Sequence, residues 1–193
     1  MAKKIMVLNE SPHKDANTGT VAAWFAEGAI AAGAEIEMIH IAQLKSKFSG
    51  CIACMGCQKS DKYECQVEDD VKPVLARMSQ ADAVVFATPT YFFGPSAQTK
   101  SVVDRMYSQI KLNARGGYDI NISHIKLGVI ATAGGDVKPG LKLIDDTFRA
   151  MAGFSGISYD SLLVPFAPRD PVEMKTHGDV KEKAIAFGRA FAA

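Results

Sequence analysis

The hydrophobic period of this chain switches back and forth from one end to the other, and that switching leaves few folds open. Short β-rich apolar runs alternate with helical stripes. Residues 3–8 form the first apolar run. In 18–33, Val21, Trp24, Phe25 and Gly28 then fall at i, i+3, i+4 and i+7, the spacing of one helix face. Residues 36–41 suit a second strand. Beyond a long polar loop, Val71, Val74, Leu75 and Met78 line a helix that Asp69 or Asp70 caps, with Pro73 in its tolerant first turn. Residues 83–87 read as a third strand and 96–110 as a helix carrying Val102, Val103, Met106, Tyr107 and Ile110. A fourth strand over 126–133, a helix through Leu141, Ile144, Phe148 and Met151, and a last strand over 157–164 follow. Val180, Ala184, Phe187 and Phe191 give the C-terminal helix one apolar face. Strict β-α alternation with apolar strands implies an α/β protein: a five-stranded, doubly wound parallel sheet with helices on both faces, three layers in all.

At 193 residues the chain is expected to be a single domain, 1–193, with a cysteine-rich loop (48–68) inserted after the second strand. Lys plus Arg (22) nearly cancels Asp plus Glu (21), so no strong field draws in nucleic acid or an anionic membrane, and neither is expected as a partner. The apolar run after Lys3-Lys4 is too short for a membrane span. It ends in Asn9-Glu10 without a small-residue cleavage site, so it reads as a strand and not a signal peptide. The expected location is cytoplasmic, where four cysteines favour metal or redox chemistry over disulfides.

Ligands of an open α/β sheet bind outside the carboxyl ends of the strands. The loop after the first strand, Asn9 to Thr20, is rich in hydroxyls and amides. Ser11, Asn17, Thr18 and the amides opening the next helix, Gly19 among them, suit a phosphate monoester, although a simple Ser/Thr helix cap explains Thr18 equally well. The loop matches neither the P-loop nor the dinucleotide fingerprint. After the third strand comes Thr88-Pro89-Thr90-Tyr91-Phe92-Phe93-Gly94-Pro95. A planar ring would bind well against its three successive aromatics, the alternative being local packing. After the fourth strand, Thr132-Ala133-Gly134-Gly135 permits close backbone approach by a ligand, or is a simple turn.

Cys51, Cys54 and Cys57 form a C-x₂-C-x₂-C run, and Cys65 follows after seven residues. Four thiolates on so tight a loop suit a 4Fe–4S cluster. Zinc, which prefers two separated C-x-x-C pairs, fits less well. A redox pair at Cys54 and Cys57, or free thiols, remain open alternatives.

Taken together, Ser11-Pro12 with Asn17-Thr18, Pro89-Thr90-Tyr91-Phe92 with Lys100 and Asp104-Arg105, and Thr132-Ala133-Gly134-Gly135 resemble the flavodoxin-like NADPH-dependent FMN reductases over nearly the whole chain. The resemblance implies the flavodoxin-like strand order 2-1-3-4-5. It implies FMN as cofactor, with Ser11, His13, Asn17, Thr18 and Gly19 at the phosphate. Pro89, Thr90, Tyr91 and Phe92 would then lie at the isoalloxazine and ribityl parts, and Thr132, Ala133, Gly134 and Gly135 at the ring edge. The family commonly has Gly-Ser-Pro-Arg in the first loop, where this chain has Glu10-Ser11-Pro12-His13. Glu10 and Asp15 add negative charge there, which His13 and Lys14 offset. Asp104-Arg105 reads as a structural ion pair or helix cap. The cysteine motif after the second strand is similar to that of the iron–sulfur flavoproteins, which implies Cys51, Cys54, Cys57 and Cys65 as ligands of a 4Fe–4S cluster exchanging electrons with FMN. The flavin carries the chemistry, so no side chain is assigned a catalytic role. Ferredoxin, a quinone or NAD(P)H is the implied redox partner, and a homodimer or homotetramer the implied assembly. Two alternatives stand beside this reading. One is a cluster-free NAD(P)H-dependent FMN or quinone reductase. The other is a non-enzymatic metal-binding module on a degenerate flavodoxin fold.

Overall fold

The three most apolar strands, β1 (Lys4–Asn9), β3 (Ala83–Tyr91) and β7 (Lys126–Thr132), pair side by side and take the centre of the sheet. β2 (Glu35–His40) alternates Glu with Ile or Met and lies at one edge, and β8 (Tyr159–Val164) lies at the other. The computed structural model describes residues 2–13 and 15–193. The order β2-β1-β3-β7-β8 is all parallel, with Val7 opposite Val85 and Phe86 opposite Val129. Counting only these long strands, it is the expected order 2-1-3-4-5.

Strand side chains point alternately to opposite faces, and this divides the core in two. Met6, Leu8, Val84, Phe86, Leu127 and Val129 pack under α3 (Val71–Arg77), α4 (Ala97–Arg105) and α5 (Lys142–Ser155). Ile5, Val7, Ala83, Val85 and Ile130 pack under α1 (Asn17–Ala31), α6 (Pro171–Met174) and α7 (Gly178–Ala192). A four-residue helix in the cysteine loop, α2 (Gly56–Lys59), belongs to neither layer. The α1–α7 crossing brings backbone against backbone. A Cβ at Gly28 would sit 2.1 Å from the Ile185 carbonyl oxygen, and one at Gly188 would sit 2.0 Å from that of Phe25. Among the described residues, no helix is long and apolar enough to cross a membrane.

Two elements depart from expectation. The third strand runs on to Tyr91, because β4 (Gly94–Pro95) folds back on it, pairing Thr90 with Pro95 and Tyr91 with Gly94. The helix expected to reach Ile110 stops as α4 at Arg105 and tightens into a 3₁₀ turn. The chain then forms a hairpin of β5 (Ile110–Leu112) and β6 (Tyr118–Ile120). Tertiary bonds override the helical period here: the buried Gln109 amide donates to the Tyr63 carbonyl (3.0 Å) and accepts from Asn121 (3.0 Å).

Candidate functional site

Parallel strands open at one end of the sheet, so the loops after β1, β3 and β7 meet there. They enclose a cleft of about 500 Å³, within the range of small-molecule sites. Of the residues expected there, Ser11, His13, Asn17, Thr18, Pro89, Thr90, Tyr91, Thr132, Ala133 and Gly134 line it. Gly19, Phe92 and Gly135 do not. Gly19 sits inside the first turn of α1, and the Gly135 carbonyl is turned away to accept from Phe166 N–H (3.1 Å). Phe92 is 97% exposed at the hairpin tip, its ring 5.4 Å from that of Phe93. Both tip residues have left-handed φ, +45° and +70°, a conformation that costs a non-glycine residue roughly 1–2 kcal/mol.

The loop after β8 adds Ala167, Pro168, Arg169 and Pro171 to the wall. It folds back over the cleft because Ala167 N–H donates to the Ala133 carbonyl (2.8 Å) and Phe166 N–H to that of Gly135. This loop is not among the three that the sequence points to; Arg169, a lone cation in a proline-rich stretch, is its one local signal.

The polar groups divide into those already used and those left over. The Thr18 hydroxyl bonds that of Thr132 at 2.7 Å, joining the first loop to the third. It is therefore no helix cap. The N-cap of α1 is Ala16, which offers no side-chain acceptor, and the first turn holds no acidic residue. A 15-residue helix thus presents an uncapped, positive end to the cleft. The Ser11 hydroxyl stays within its own loop, donating to the His13 carbonyl (2.9 Å). Asn17 Nδ2 donates to the Pro168 carbonyl (2.7 Å), leaving its Oδ1 buried without a partner. Thr90 Oγ1 is orphaned in the same way. An uncapped helix end for a phosphate and two orphaned oxygens for a hydroxyl-bearing chain fit FMN. A Cβ at Gly134 would find only the Ala167 carbonyl oxygen, at 3.9 Å, so glycine leaves room that the protein itself does not use.

Glu10 was expected to add negative charge near the phosphate, and the structure corrects this. Its side chain is fully buried behind the loop, its carbonyl accepts from Ser96 Oγ (2.9 Å), and neither carboxyl oxygen has a hydrogen-bond partner. Burial pushes the carboxyl well above its ordinary pKa, and the nearby Thr99 hydroxyl offsets only part of that shift. Glu10 therefore keeps its proton at pH values where an exposed glutamate has lost it. Asp15 is exposed, and Lys14 lies outside the described residues.

The cysteines sit elsewhere, beside the far end of α4. All four line one small cavity of about 150 Å³ together with Arg105, Tyr107 and Ser108. Cys51 and Cys54 are exposed, Cys57 is half-buried and Cys65 is buried. Ala53 (φ +52°) and Met55 (φ +57°) take left-handed conformations, which curl the run between the first three thiols into a tight loop. The β5–β6 hairpin braces this loop. Gln58 donates to the Ile110 carbonyl (2.8 Å) and accepts from Leu112 N–H (3.2 Å), while Lys111 Nζ donates to the carbonyls of Cys57 and Ser60. Asp69 anchors the other end. One of its oxygens accepts from Val71 and Lys72 N–H, the other from Lys47 N–H, and both take bonds from Arg105 (2.7 and 2.8 Å). Burial works to raise the Asp69 carboxyl, but these bonds and the Arg105 charge overrule it and hold it below the usual range. Arg105 is thus in a structural ion pair, as expected, but with Asp69; Asp104 pairs with Lys100 instead.

Among the described residues, no three His, Cys, Asp or Glu side chains are gathered to hold a single metal ion. Thiolates 2.3 Å from one zinc would stand about 3.8 Å apart. A four-iron cube takes four thiolates, and the four thiols that line this one braced cavity are that donor set.

Several known proteins are similar to this chain. An iron–sulfur flavoprotein of Archaeoglobus fulgidus is 36% identical over 102 residues, 53% of this chain and 48% of that one. An iron–sulfur flavoprotein of Methanocaldococcus jannaschii is 37% identical over 103 residues, 53% of this chain and 51% of that one. The matched segment thus spans about half the length of these curated relatives. Among solved structures, an NAD(P)H:quinone oxidoreductase from Methanothermobacter marburgensis superposes with a TM-score of 0.74 at 17% identity, covering 100% of this chain and 98% of that one. An FMN-dependent NADH-azoreductase from Bacillus anthracis, in complex with FMN, gives 0.72 at 15% identity with both chains fully covered (100% each). These two share the flavodoxin-like fold. The sequence profile of the NADPH-dependent FMN reductases matches residues 3–167, which hold every loop of the cleft up to Ala167, and the chain belongs to that family.

Proposed function

We propose that this chain is an FMN-dependent oxidoreductase that passes electrons between FMN in the cleft and a 4Fe–4S cluster on Cys51, Cys54, Cys57 and Cys65. The observation that carries the flavin assignment is the uncapped N-terminus of α1, facing a cleft with two orphaned buried oxygens. The first-turn amides of α1, with His13 and Arg169 nearby, hold the phosphate. Asn17 Oδ1 and Thr90 Oγ1 take bonds from the ribityl part, and Tyr91 and Gly134 border the ring. Bound FMN supplies the redox chemistry, and the protein supplies position and electrostatics. The cluster, which supplies single-electron transfer, is supported by the shared cysteine cavity and by the relatives named iron–sulfur flavoproteins. Ferredoxin, a quinone or NAD(P)H serves as redox partner, in a cytoplasmic homodimer or homotetramer.

The second reading is a cluster-free NAD(P)H-dependent reductase, favoured by the exposure of Cys51 and Cys54 and the absence of a single-ion site among the described residues. Anaerobic reduction assays on the native protein and a variant with all four cysteines changed to serine separate the two. The relay requires that the variant still bind FMN but lose reduction by ferredoxin. Full NAD(P)H-driven flavin reduction by the variant would establish the cluster-free reductase instead.

A further inference from the structure

Arg105 is an arginine with one edge spent and one edge waiting. It is 2% exposed, and among the described residues no other arginine lines the cysteine cavity. Its Nη1 and Nη2 make the two-pronged pair with Asp69, and Nη2 also reaches the Val67 carbonyl (3.3 Å). Those three bonds complete its structural task of tying the 67–69 segment to α4. The Nε–H contributes nothing to that task. It is buried and has no partner. Leaving a buried charged donor unmade is unfavourable, so this edge is conspicuous. Arg105 itself lines the cavity that all four thiols line, and the buried Cys65 thiol interacts with its guanidinium.

The guanidinium plane cannot turn away to find another acceptor. Asp69 fixes it bidentately, and Asp69 is itself held by the backbone amides of Lys47, Val71 and Lys72. A lysine could pair with Asp69 but could not also direct a second, fixed N–H sideways. Sulfur atoms of iron–sulfur clusters accept such hydrogen bonds, and these bonds help set the reduction potential.

We propose that Arg105 is a positioning residue for the cluster: its Nε–H is held by Asp69 to donate to sulfur at the Cys65 corner, either the thiolate or the adjoining sulfide. This rests on the cluster reading above. A donor and a positive charge at that corner favour the more negative, reduced state, so they raise the cluster potential. The bond also holds in place the one ligand outside the compact C-x₂-C-x₂-C run.

The test uses the anaerobically purified, FMN-loaded protein and R105K, which retains the charge but not the Nε–H. Iron release to a chelator should be roughly 10- to 100-fold faster in R105K, as for other partners of metal ligands. The midpoint potential of the cluster that remains should move to more negative values, while that of the flavin should stay in place. A merely structural role would speed iron loss without moving the potential. Identical release and potential in the two proteins overturn the inference while leaving the cluster reading intact. A wild type that takes up no iron overturns both. If R105K fails to fold, pulsed electron paramagnetic resonance of the reduced wild type, with ¹⁵N only in arginine, reads the same bond. A ¹⁵N coupling to the cluster spin is expected, and its absence refutes the assignment.

Discussion

Replacing Glu10 with Gln tests the buried carboxyl at the back of the cleft. The side chain is fully buried, with neither oxygen bonded, and burial raises its pKa well above the ordinary value. In the unfolded chain Glu10 ionises near pH 4.3. Above that pH the unfolded state has released the proton and the native state has kept it. The stability contributed by Glu10 is therefore fully present below about pH 4.3 and is lost as pH rises toward the native pKa. The loss is about 1.4 kcal/mol for each pH unit in which the native carboxyl stays protonated. The E10Q variant carries no such proton, and every other titrating group is common to both proteins. For a domain of this size, that slope corresponds to roughly 3–5 °C in Tm per pH unit. Thermal unfolding of both proteins, free of cofactor, at pH 5, 6 and 7 reads it directly. E10Q should gain on the wild type as pH rises from 5, until the native carboxyl ionises. Parallel Tm curves would refute the reasoning, since they would mean that Glu10 ionises in the native state without penalty.

Three further outcomes follow from the geometry. D69N removes one partner of a buried ion pair and should cost about 3–5 kcal/mol at neutral pH by urea unfolding. Because the Asp69 carboxyl is held below its usual range, its stabilisation is present above the unfolded pKa, so the gap between wild type and D69N should close as pH falls below about 4. With Arg169 beside the proposed phosphate position, R169Q should weaken FMN by about 1 kcal/mol, roughly fivefold in Kd, and leave riboflavin unchanged in a fluorescence titration. G28A drives a Cβ into the Ile185 carbonyl, 2.1 Å away, and should cost about 1–3 kcal/mol or more in a chemical denaturation series.

Much of the architecture was legible because two periods carry it. Period two in residues 4–9, 83–88 and 126–132 supplies both core faces, and the helical stripes at Val21–Phe25 and Ile144–Phe148 cover them. The cleft was legible where loop chemistry is local. Asn17, Thr90 and Tyr91 line it as expected. What sequence could not give was direction and distant partners. Nothing local says that Thr18 turns inward to Thr132, or that Phe92 tips outward on a two-residue hairpin turn. The 165–171 loop joins the cleft through backbone bonds to Ala133 and Gly135, which no side-chain pattern encodes. Arg105 finds Asp69, 36 residues away, and not its neighbour Asp104, because a helix sends adjacent side chains to different faces.

The central claim is that one chain carries both FMN and a cluster. Anaerobic purification followed by a visible spectrum and assays for flavin, iron and sulfide tests it most directly. The account requires flavin bands with a broad shoulder near about 400 nm and roughly four irons and four sulfides per chain. Flavin without iron would contradict the electron relay, and a protein still colourless after addition of FMN would contradict the flavin site as well.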